Sequence, residues 1–243
     1  MTWELIYIFS GLAILPILIF AIIASIRVTT VISHYHHLQT AGNITAKDLV
    51  ERIALENNLH INLEEAGEGM GDHYDPHAKT IRLTKKVLNS NSVSALAIAA
   101  HECGHAMQDA ENYLPLRVRN LVISINNFSS RLLMPLIIIS FIATLFTAGL
   151  ALDTMMWVMF AFCVMYGLTA LISFITLPTE FDASRRGKQM LMALNVVETK
   201  AEQRGVNKVL RAAANTYVVS FALSLVYFLR YLSHFMLLVR DRD

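Results

Sequence analysis

Four apolar stretches, each long enough to cross a membrane as a helix, constrain the fold of this 243-residue chain more than any other feature. They cover residues 5–26, 132–152 and 155–175, and the last begins near Tyr217. At 1.5 Å per residue, about 20 apolar residues cross the hydrocarbon core of a bilayer. The composition agrees, because 55% of the residues are hydrophobic, 16% are charged and the mean hydropathy is +0.47. The sequence therefore predicts a mainly α membrane protein with about four transmembrane helices.

Charge and cysteine content exclude two other classes of protein. The net charge of +1 gives no reason to expect a nucleic-acid partner. Two cysteines in a chain of this length do not make a disulfide framework. Cys103 and Cys163 are instead predicted to be buried thiols.

The distribution of charged residues predicts how the chain crosses the membrane. The first stretch is preceded by Glu4 and followed at once by Arg27, the reverse of a secretory signal peptide, so a retained anchor with its N-terminus outside is expected. The second and third stretches are joined by a tight connection around Asp153 and predict an antiparallel hairpin. Basic residues flank the hairpin on the side to which it returns: Arg117, Arg119, Arg131, Arg185, Arg186 and Lys188. By the positive-inside bias, that side is predicted to be cytoplasmic.

The polar segment after the first stretch contains His101-Glu102-Cys103-Gly104-His105, the pattern H-E-x-x-H. Helix formers precede it over 92–100, and residues 89–91 are candidate caps, so the segment is predicted to be helical. On a helix, two imidazoles four residues apart can hold one zinc ion, while Glu102 reaches a water molecule beside it. The many alanines leave little side-chain bulk around the histidines, as suits a tightly packed helix. Two surface histidines and a solvated glutamate are the less favoured alternative.

The remainder of the segment 28–131 is predicted to be α+β. Thr45 begins a capping box for an amphipathic helix that ends near Asn58. Alternating residues predict strands at 60–63 and 80–84. In zinc peptidases with this motif a strand edge commonly pairs with the substrate backbone, and 80–84 is the candidate here.

The connection between these strands, residues 72–77, is dense in groups that active sites use. Three of its side chains are candidate hydrogen-bond donors to an oxyanion: His73, Tyr74 and His77. Two carboxylates, Asp72 and Asp75, are candidates for orienting a zinc ligand. An ordinary polar turn is an equal alternative, since the Asp-Pro pair is a turn signal.

Two further polar groups are placed outside the predicted site. The run 33–37 contains three histidines and is interpreted as a polar aromatic cluster at the membrane interface rather than a metal site. The last apolar stretch carries a polar stripe, predicted to face the bundle interior and either to form interhelical hydrogen bonds or to line a route to the site. An interfacial helix is a further alternative there. The stripe consists of Ser220, Ser224, Tyr227, Arg230, Tyr231 and His234.

A catalytic zinc site usually has three protein ligands, and the two histidines supply only two. Just past the predicted hairpin, Pro178 interrupts the apolar stretch, and Thr179 with Asp182 forms a plausible cap for a new helix. Glu180 in its first turn is therefore the predicted third ligand. The alternative is a helix-start carboxylate that the helix dipole stabilises.

The motifs HECGHAMQ at 101–108 and LPTEFDAS at 177–184, the second after a transmembrane hairpin, resemble the membrane neutral zinc metallopeptidase family of bacteria over nearly the whole chain. The layout is more distantly similar to the membrane heat-shock protease and the prenyl-protein endopeptidase. Their third ligand is a glutamate in a Glu-x-x-x-Asp pattern, which matches Glu180, but Ser184 stands where the aspartate is expected. Either Ser184 or Asp182 is then expected to supply the supporting contact, or the zinc is oriented differently.

The predicted function is a membrane-embedded zinc endopeptidase that hydrolyses peptide bonds of membrane or membrane-proximal proteins. His101, His105 and Glu180 are expected to hold one Zn²⁺ per chain, and Glu102 is the expected general base. A zinc-binding scaffold or adaptor without proteolytic activity is the competing class, and metal transport is a weaker one. The expected partners are a peptide or membrane-protein substrate and membrane lipid, without nucleic acid. Substrate identity, oligomeric state and partner proteins do not follow from the sequence.

The predicted organisation has five segments. They are an anchor over 1–27, a cytoplasmic segment with the zinc helix over 28–131, a transmembrane hairpin over 132–176, cytoplasmic helices with the third ligand over 177–215, and a transmembrane or interfacial helix with a tail over 216–243. The expected location is multi-pass in the cell membrane with the active site on the cytoplasmic side.

Overall fold

The computed structural model describes residues 2–121, 135, 138, 142 and 151–240, with 151–155 described by their backbone alone. The helices are α1 (Thr2–His36), α2 (Ala46–Glu56), α3 (Lys85–Leu88), α4 (Val93–Ala110), α5 (Ala151–Ala193) and α6 (Lys200–Arg240). The strands are β1 (Asn62–Glu65), β2 (His73–Asp75) and β3 (Thr80–Leu83). Residues 114–121 are also helical. The prediction of a mainly helical chain with a small α+β part is confirmed.

Three helices of the described part are long and apolar enough to cross a membrane: α1, Met156–Ala193 within α5, and α6. The predicted spans 5–26 and the one from Tyr217 lie within α1 and α6, and 155–175 lies within α5. Large apolar side chains along α1 are exposed, as expected for a helix surrounded by lipid. The predicted span 132–152 lies almost entirely outside the described residues.

The chain forms two compact units. The first comprises Met1–Ile23, Val118–Thr176 and Tyr217–Asp243, and the second comprises Ala24–Arg117 and Leu177–Thr216. The predicted metal ligands all belong to the second unit.

Within the first unit, the polar stripe of α6 makes contacts between helices. Arg230 donates from Nη2 to the Tyr7 hydroxyl at 3.1 Å and from Nη1 to the Tyr7 carbonyl at 3.3 Å. The Tyr166 ring stacks on the rings of Tyr227 and Tyr231, with centroids 5.1 Å apart in both pairs. A guanidinium in an apolar span is costly unless such partners satisfy it. These contacts favour the interpretation of the stripe as a source of interhelical bonding.

Within the second unit, the strand order is β1-β3-β2, so β3 lies at the centre of the sheet. It pairs with β1 in parallel and with β2 antiparallel. The prediction that 80–84 offers a free edge to a substrate is therefore wrong. The reason is β2, three residues within the supposed polar connection, which is too short to show the alternation that predicts a strand.

Helix α5 continues through Pro178, so the prediction of a break and a newly capped helix at that point is wrong. A proline inside a helix removes one backbone hydrogen bond and costs about 3 kcal/mol. Close packing of the following turn on α4 offsets that cost, because Ala183 is fully buried and its backbone lies directly against Gly104. Tertiary packing thus outweighs the local preference of proline to end a helix.

The core of the second unit lies between α2, the sheet, α4 and the ends of α5 and α6. The capping box predicted at Thr45 is observed, with reciprocal hydrogen bonds to Asp48, and it begins the amphipathic helix α2. The N-cap of α4 is Ser92, one residue beyond the predicted candidates, and its hydroxyl accepts from the Ala95 N–H. The largest fully buried apolar side chains include Leu49, Ile53, Ile81, Leu83, Leu96 and Leu191. This core fixes α4, the helix that carries the H-E-x-x-H pattern.

Candidate metal centre

The H-E-x-x-H pattern lies in the second half of α4, well inside the helix, as predicted. His101 and His105 are one turn apart on the same face, and their ring centroids are separated by 4.8 Å. His105 is 7% exposed, so the second ring is removed from bulk solvent. The backbone geometry of one helix is therefore enough to bring these two rings together.

Glu180 reaches both histidines from α5. Its Oε2 atom lies 3.2 Å from His101 Nε2 and 3.6 Å from His105 Nε2. One possible ligand atom from each of the three residues lies within 4.8 Å of the other two. Among the residues that the structure describes, this is the one group of three or more His, Cys, Asp or Glu side chains so arranged. The three predicted metal ligands thus converge, although 79 residues separate His101 from Glu180.

Two glycines allow α4 and α5 to approach closely enough for this convergence. A Cβ atom on Gly104 would collide with the Ala183 carbonyl oxygen, and one on Gly187 would lie 2.6 Å from the Ala100 carbonyl oxygen. Backbone therefore packs directly on backbone at both points, which only glycine permits. The alanines of α4 contribute to the same close packing, in agreement with the prediction from composition.

The outer nitrogen of each histidine ring has a hydrogen-bond partner. Ser184 Oγ lies 3.1 Å from His101 Nδ1, and Gln108 Oε1 lies 3.0 Å from His105 Nδ1. Such partners fix both the ring orientation and the tautomer of a metal-binding histidine. They leave the Nε2 atoms directed towards Glu180.

Gln108 is held so that only its oxygen can face His105. Its amide nitrogen donates to the Thr179 carbonyl at 2.8 Å and to Asp182 Oδ2 at 3.0 Å. His105 must therefore donate from Nδ1, so Nε2 carries the lone pair of the neutral ring. A lone pair on nitrogen that faces a carboxylate oxygen across 3.6 Å is a donor set for a cation. The chemistry of these residues thus fits a zinc ion.

The two supporting residues left open by the sequence have different contacts. Ser184 touches a predicted zinc ligand directly, whereas Asp182 acts through Gln108. Asp182 also accepts from Arg186 Nε at 2.6 Å and forms an ion pair with Arg185. Both candidates therefore support the centre, one on each side of it.

Sequence reasoning assigned no role to Gln108. It is completely buried, and it follows His105 by three residues, so the two share one face of α4. Its spacing from the motif was a signal for this contact. The partner side of the contact, at Thr179 and Asp182, depends on how the helices pack and could not be obtained from spacing.

Glu102 lies in α4 beside the first histidine and is 7% exposed. Across the described part of the chain, no hydrogen bond or ion pair of the protein engages its carboxylate. A carboxylate without a protein partner is available to accept a proton from water, as the predicted general base must be.

Tyr74, one of the candidate oxyanion donors, is bound to α4. Its hydroxyl donates to Asp109 Oδ2 at 2.7 Å, and Lys79 Nζ lies 2.5 Å from the same oxygen. Burial and the neighbouring Asp109 carboxylate raise the pKa of Tyr74 well above its usual value. This contact ties the edge strand β2 to the helix one turn beyond His105.

The carboxylates of the connection 72–77, Asp72 and Asp75, accept hydrogen bonds from nearby backbone N–H groups. Asp72 accepts from the Thr84 N–H at 2.6 Å, and Asp75 accepts from the N–H of His77 at 2.9 Å. A further ion pair with Arg82 lowers the pKa of Asp75 to about 2. Among the described residues, neither carboxylate contacts His101 or His105, so these contacts favour the alternative of an ordinary polar turn. Both carboxylates stabilise the turn and the sheet edge.

The remaining candidate residues are the two cysteines and the run 33–37. Cys103 and Cys163 are buried as predicted, and burial raises the pKa of the Cys103 thiol. In the run 33–37, Tyr35 packs into the core of the second unit and His36 Nδ1 lies 3.3 Å from Ser92 Oγ. The histidines of this run form no metal-binding group within the described ranges.

Comparison with known proteins agrees with this geometry. Residues 10–236 match the family model described as "Putative neutral zinc metallopeptidase". The chain belongs to this family of zinc metallopeptidases. A member of known sequence, the "Putative membrane protease YugP" of Bacillus subtilis (strain 168), is 32% identical over 221 residues, which cover 90% of this chain and 92% of that protein. No solved structure shows significant similarity to the chain.

Membership in the zinc metallopeptidase family confirms the resemblance noted from the two motifs. The family description implies zinc, and the two imidazoles and the carboxylate that converge here form a donor set suited to that metal.

Proposed function

We propose that this protein is a membrane zinc endopeptidase that hydrolyses peptide bonds of membrane or membrane-proximal proteins. The observation that carries the proposal is the convergence of His101, His105 and Glu180, with the outer nitrogen of each ring held by its own partner. Three protein ligands are typical of catalytic zinc, whereas structural zinc usually has four. The donor set therefore favours a catalytic centre over a scaffold.

One zinc ion per chain, held by these three side chains, would supply Lewis-acid chemistry by lowering the pKa of water and polarising a carbonyl group. Glu102 is the general base of the reaction. It takes a proton from the water whose oxygen attacks the carbonyl carbon, and it delivers that proton to the leaving amine nitrogen as the C–N bond breaks. Ser184 and Gln108 keep both imidazoles in the orientation that the centre requires.

The proposed substrate position is along β2. This strand forms an edge of the sheet and is joined to α4 through Tyr74 and Asp109. An extended peptide that adds to a sheet edge forms regular backbone hydrogen bonds, and here it would run beside the zinc helix. Membrane-proximal substrates are favoured because Glu180 follows the end of an apolar stretch, at Ile175, by five residues of one continuous helix.

A direct test incubates the purified, zinc-loaded protein with an unfolded substrate protein that carries a fluorescent label. Glu102→Gln should retain zinc and lose at least about 100-fold in cleavage rate, because the proton acceptor is removed. Glu51→Gln, at an exposed position on α2, is the matched control and should cleave at the wild-type rate. Cleavage by wild type should also stop when a chelator removes the metal.

Two results would contradict the proposal. Cleavage by Glu102→Gln at the wild-type rate would exclude the mechanism. Bound zinc without chelator-sensitive cleavage, across soluble and membrane substrates, would support the competing class of a zinc-binding scaffold.

A further inference from the structure

A cavity of about 520 Å³ lies between α5 and α6, and all of its lining residues belong to the second unit. This volume is within the usual range for sites that bind small ligands. No acidic side chain of the described chain is among the lining residues, whereas three basic ones are: Arg185, Lys188 and Arg211. The cavity is therefore a positively charged space beside the helix that carries Glu180.

The positive charge of this cavity is only partly neutralised by the protein. Arg185 forms an ion pair with Asp182, but Asp182 is shared with Arg186. Within the described residues, no carboxylate lies within ion-pair distance of Lys188 or Arg211. Two cations therefore face the cavity without a protein counter-ion, so an anionic group is the complementary ligand.

The cavity adjoins the candidate metal centre through Ser184. This residue lines the cavity, and its hydroxyl lies 3.1 Å from His101 Nδ1. Lys188 follows Glu180 by about two turns of α5, which is about 12 Å along the helix axis. An extended peptide advances about 3.3 Å per residue, so this distance corresponds to about three or four residues of substrate. A side chain at that separation from the scissile bond is thus suitably placed to enter the cavity.

We propose that this cavity binds an acidic side chain of the peptide substrate, with Lys188 and Arg211 as the partners of its carboxylate. The inference rests on the proposed peptidase function and adds a substrate class to it, namely unfolded chains with Asp or Glu about three or four residues from the cleaved bond. An endopeptidase cuts within a chain, so internal side chains rather than a chain end would meet the cavity. Leu210, which also lines it, would contact the methylene groups of a glutamate.

The first test measures binding apart from cleavage. Full-length, zinc-loaded Glu102→Gln protein in detergent micelles is titrated with a fluorescent peptide that is blocked at both ends and carries a single central Glu. A second peptide carries Gln at that position, and fluorescence anisotropy gives both affinities. The Glu peptide should bind about tenfold more tightly, because two cations pair with one carboxylate. Added salt should reduce this preference, because it screens charges that are open to solvent.

Variants built on the same Glu102→Gln protein test the two cations. Lys188→Gln combined with Arg211→Gln should bind the two peptides equally. Lys188→Glu combined with Arg211→Glu should prefer a third peptide, with Lys at the central position, over the Glu peptide. A misfolded protein could not show that reversed preference. Arg185 is left unchanged because it forms an ion pair with Asp182, which supports the candidate metal centre.

The matched control is Lys200→Gln combined with Arg204→Gln. It removes two charges from α6 at positions that do not line the cavity. It should therefore retain the tenfold preference for the Glu peptide.

The second test locates the acidic residue relative to the cleaved bond. Wild type is incubated with a mixture of unfolded proteins, and the cleavage sites are mapped by mass spectrometry. Asp and Glu should be enriched about three or four residues from the cleaved bond, and the enrichment should disappear in Lys188→Gln/Arg211→Gln.

Three binding results would overturn the inference: equal affinities of the Glu and Gln peptides, an undiminished preference in Lys188→Gln/Arg211→Gln, and an equal loss in the control. Chelator-sensitive cleavage by wild type would then leave the proposed function intact. Tight binding that requires a free C-terminus on the peptide would assign the cavity to a chain end and overturn the assignment to a side chain. An acidic preference in binding without any cleavage by wild type would instead contradict the proposed function and support the cavity as a site for an acidic peptide.

Discussion

At the scale of single residues, the candidate centre depends on which nitrogen of each imidazole is hydrogen-bonded to a neighbouring side chain. Ser184 and Gln108 occupy the two Nδ1 atoms, so both Nε2 atoms are directed to Glu180. Because the side chain of Ser184 carries no charge, the partner of His101 Nδ1 is neutral. The negative charge nearest the His105 ring on this side belongs to Asp182, which is linked to that ring through the amide of Gln108.

These contacts predict the effect of removing either partner. Ser184→Ala should weaken zinc binding about tenfold, because His101 loses the group that orients it, and Ser184→Thr should restore binding by returning the hydroxyl. Gln108→Leu should weaken binding by about 10- to 100-fold, since it leaves both His105 and Asp182 without that amide. Competition with a chelator measures the affinity.

The control for these variants is Gln189→Leu on α5, which lies in the second unit but contacts neither histidine among the described residues. Unchanged zinc affinity in both Ser184→Ala and Gln108→Leu would show that the rings do not need these partners.

At the scale of elements, the centre depends on the contact between α4 and α5. Gly104 and Gly187 bring the two backbones together, and the continuation of α5 through Pro178 places Glu180 on the same face as Ala183 and Gly187. The third ligand is thus positioned by packing rather than by a local helix start.

This packing predicts that one methyl group will disrupt the centre. Gly104→Ala should lower the free energy of unfolding by about 1–3 kcal/mol and reduce zinc binding, because its Cβ would collide with the Ala183 carbonyl and move α5 away. Gly71→Ala is the matched control, since a Cβ there meets no atom within 4 Å. Thermal unfolding and zinc titration measure the two effects, and equal values for the two variants would contradict the role of close packing.

At the scale of the whole molecule, helices long and apolar enough to cross a membrane and the candidate metal-ligand group belong to one chain. The charge distribution predicts the side of the membrane on which this group lies. The basic residues on either side of the predicted hairpin indicate the cytoplasmic side.

Labelling of single cysteines in intact cells tests this topology. Lys86→Cys, next to the sheet of the second unit, should react with a membrane-impermeant maleimide only after the cells are opened. Thr2→Cys, at the predicted outer end of α1, should react in intact cells and serves as the control. The native thiols are buried, so they should contribute little background. The reverse pattern would place the candidate centre outside.

The sequence by itself determined the features that depend on short-range spacing. Two histidines four apart share a helix face whatever surrounds them, and long apolar stretches require a membrane or a core. Glu180 was also found from the sequence, through its place after an apolar stretch and the family motif around it.

Only the tertiary structure decided which groups meet across the chain. Three features depend on packing between segments that are distant in sequence. They are the central position of β3 in the sheet, the continuation of α5 through Pro178, and the link from Asp182 through Gln108 to His105. Local propensities contribute about 1–3 kcal/mol at each such position, and the burial of neighbouring side chains is large enough to override them. For that reason the candidate ligands and the supporting contact of Ser184 could be predicted from the sequence, whereas the link from Asp182 through Gln108 to His105 could not.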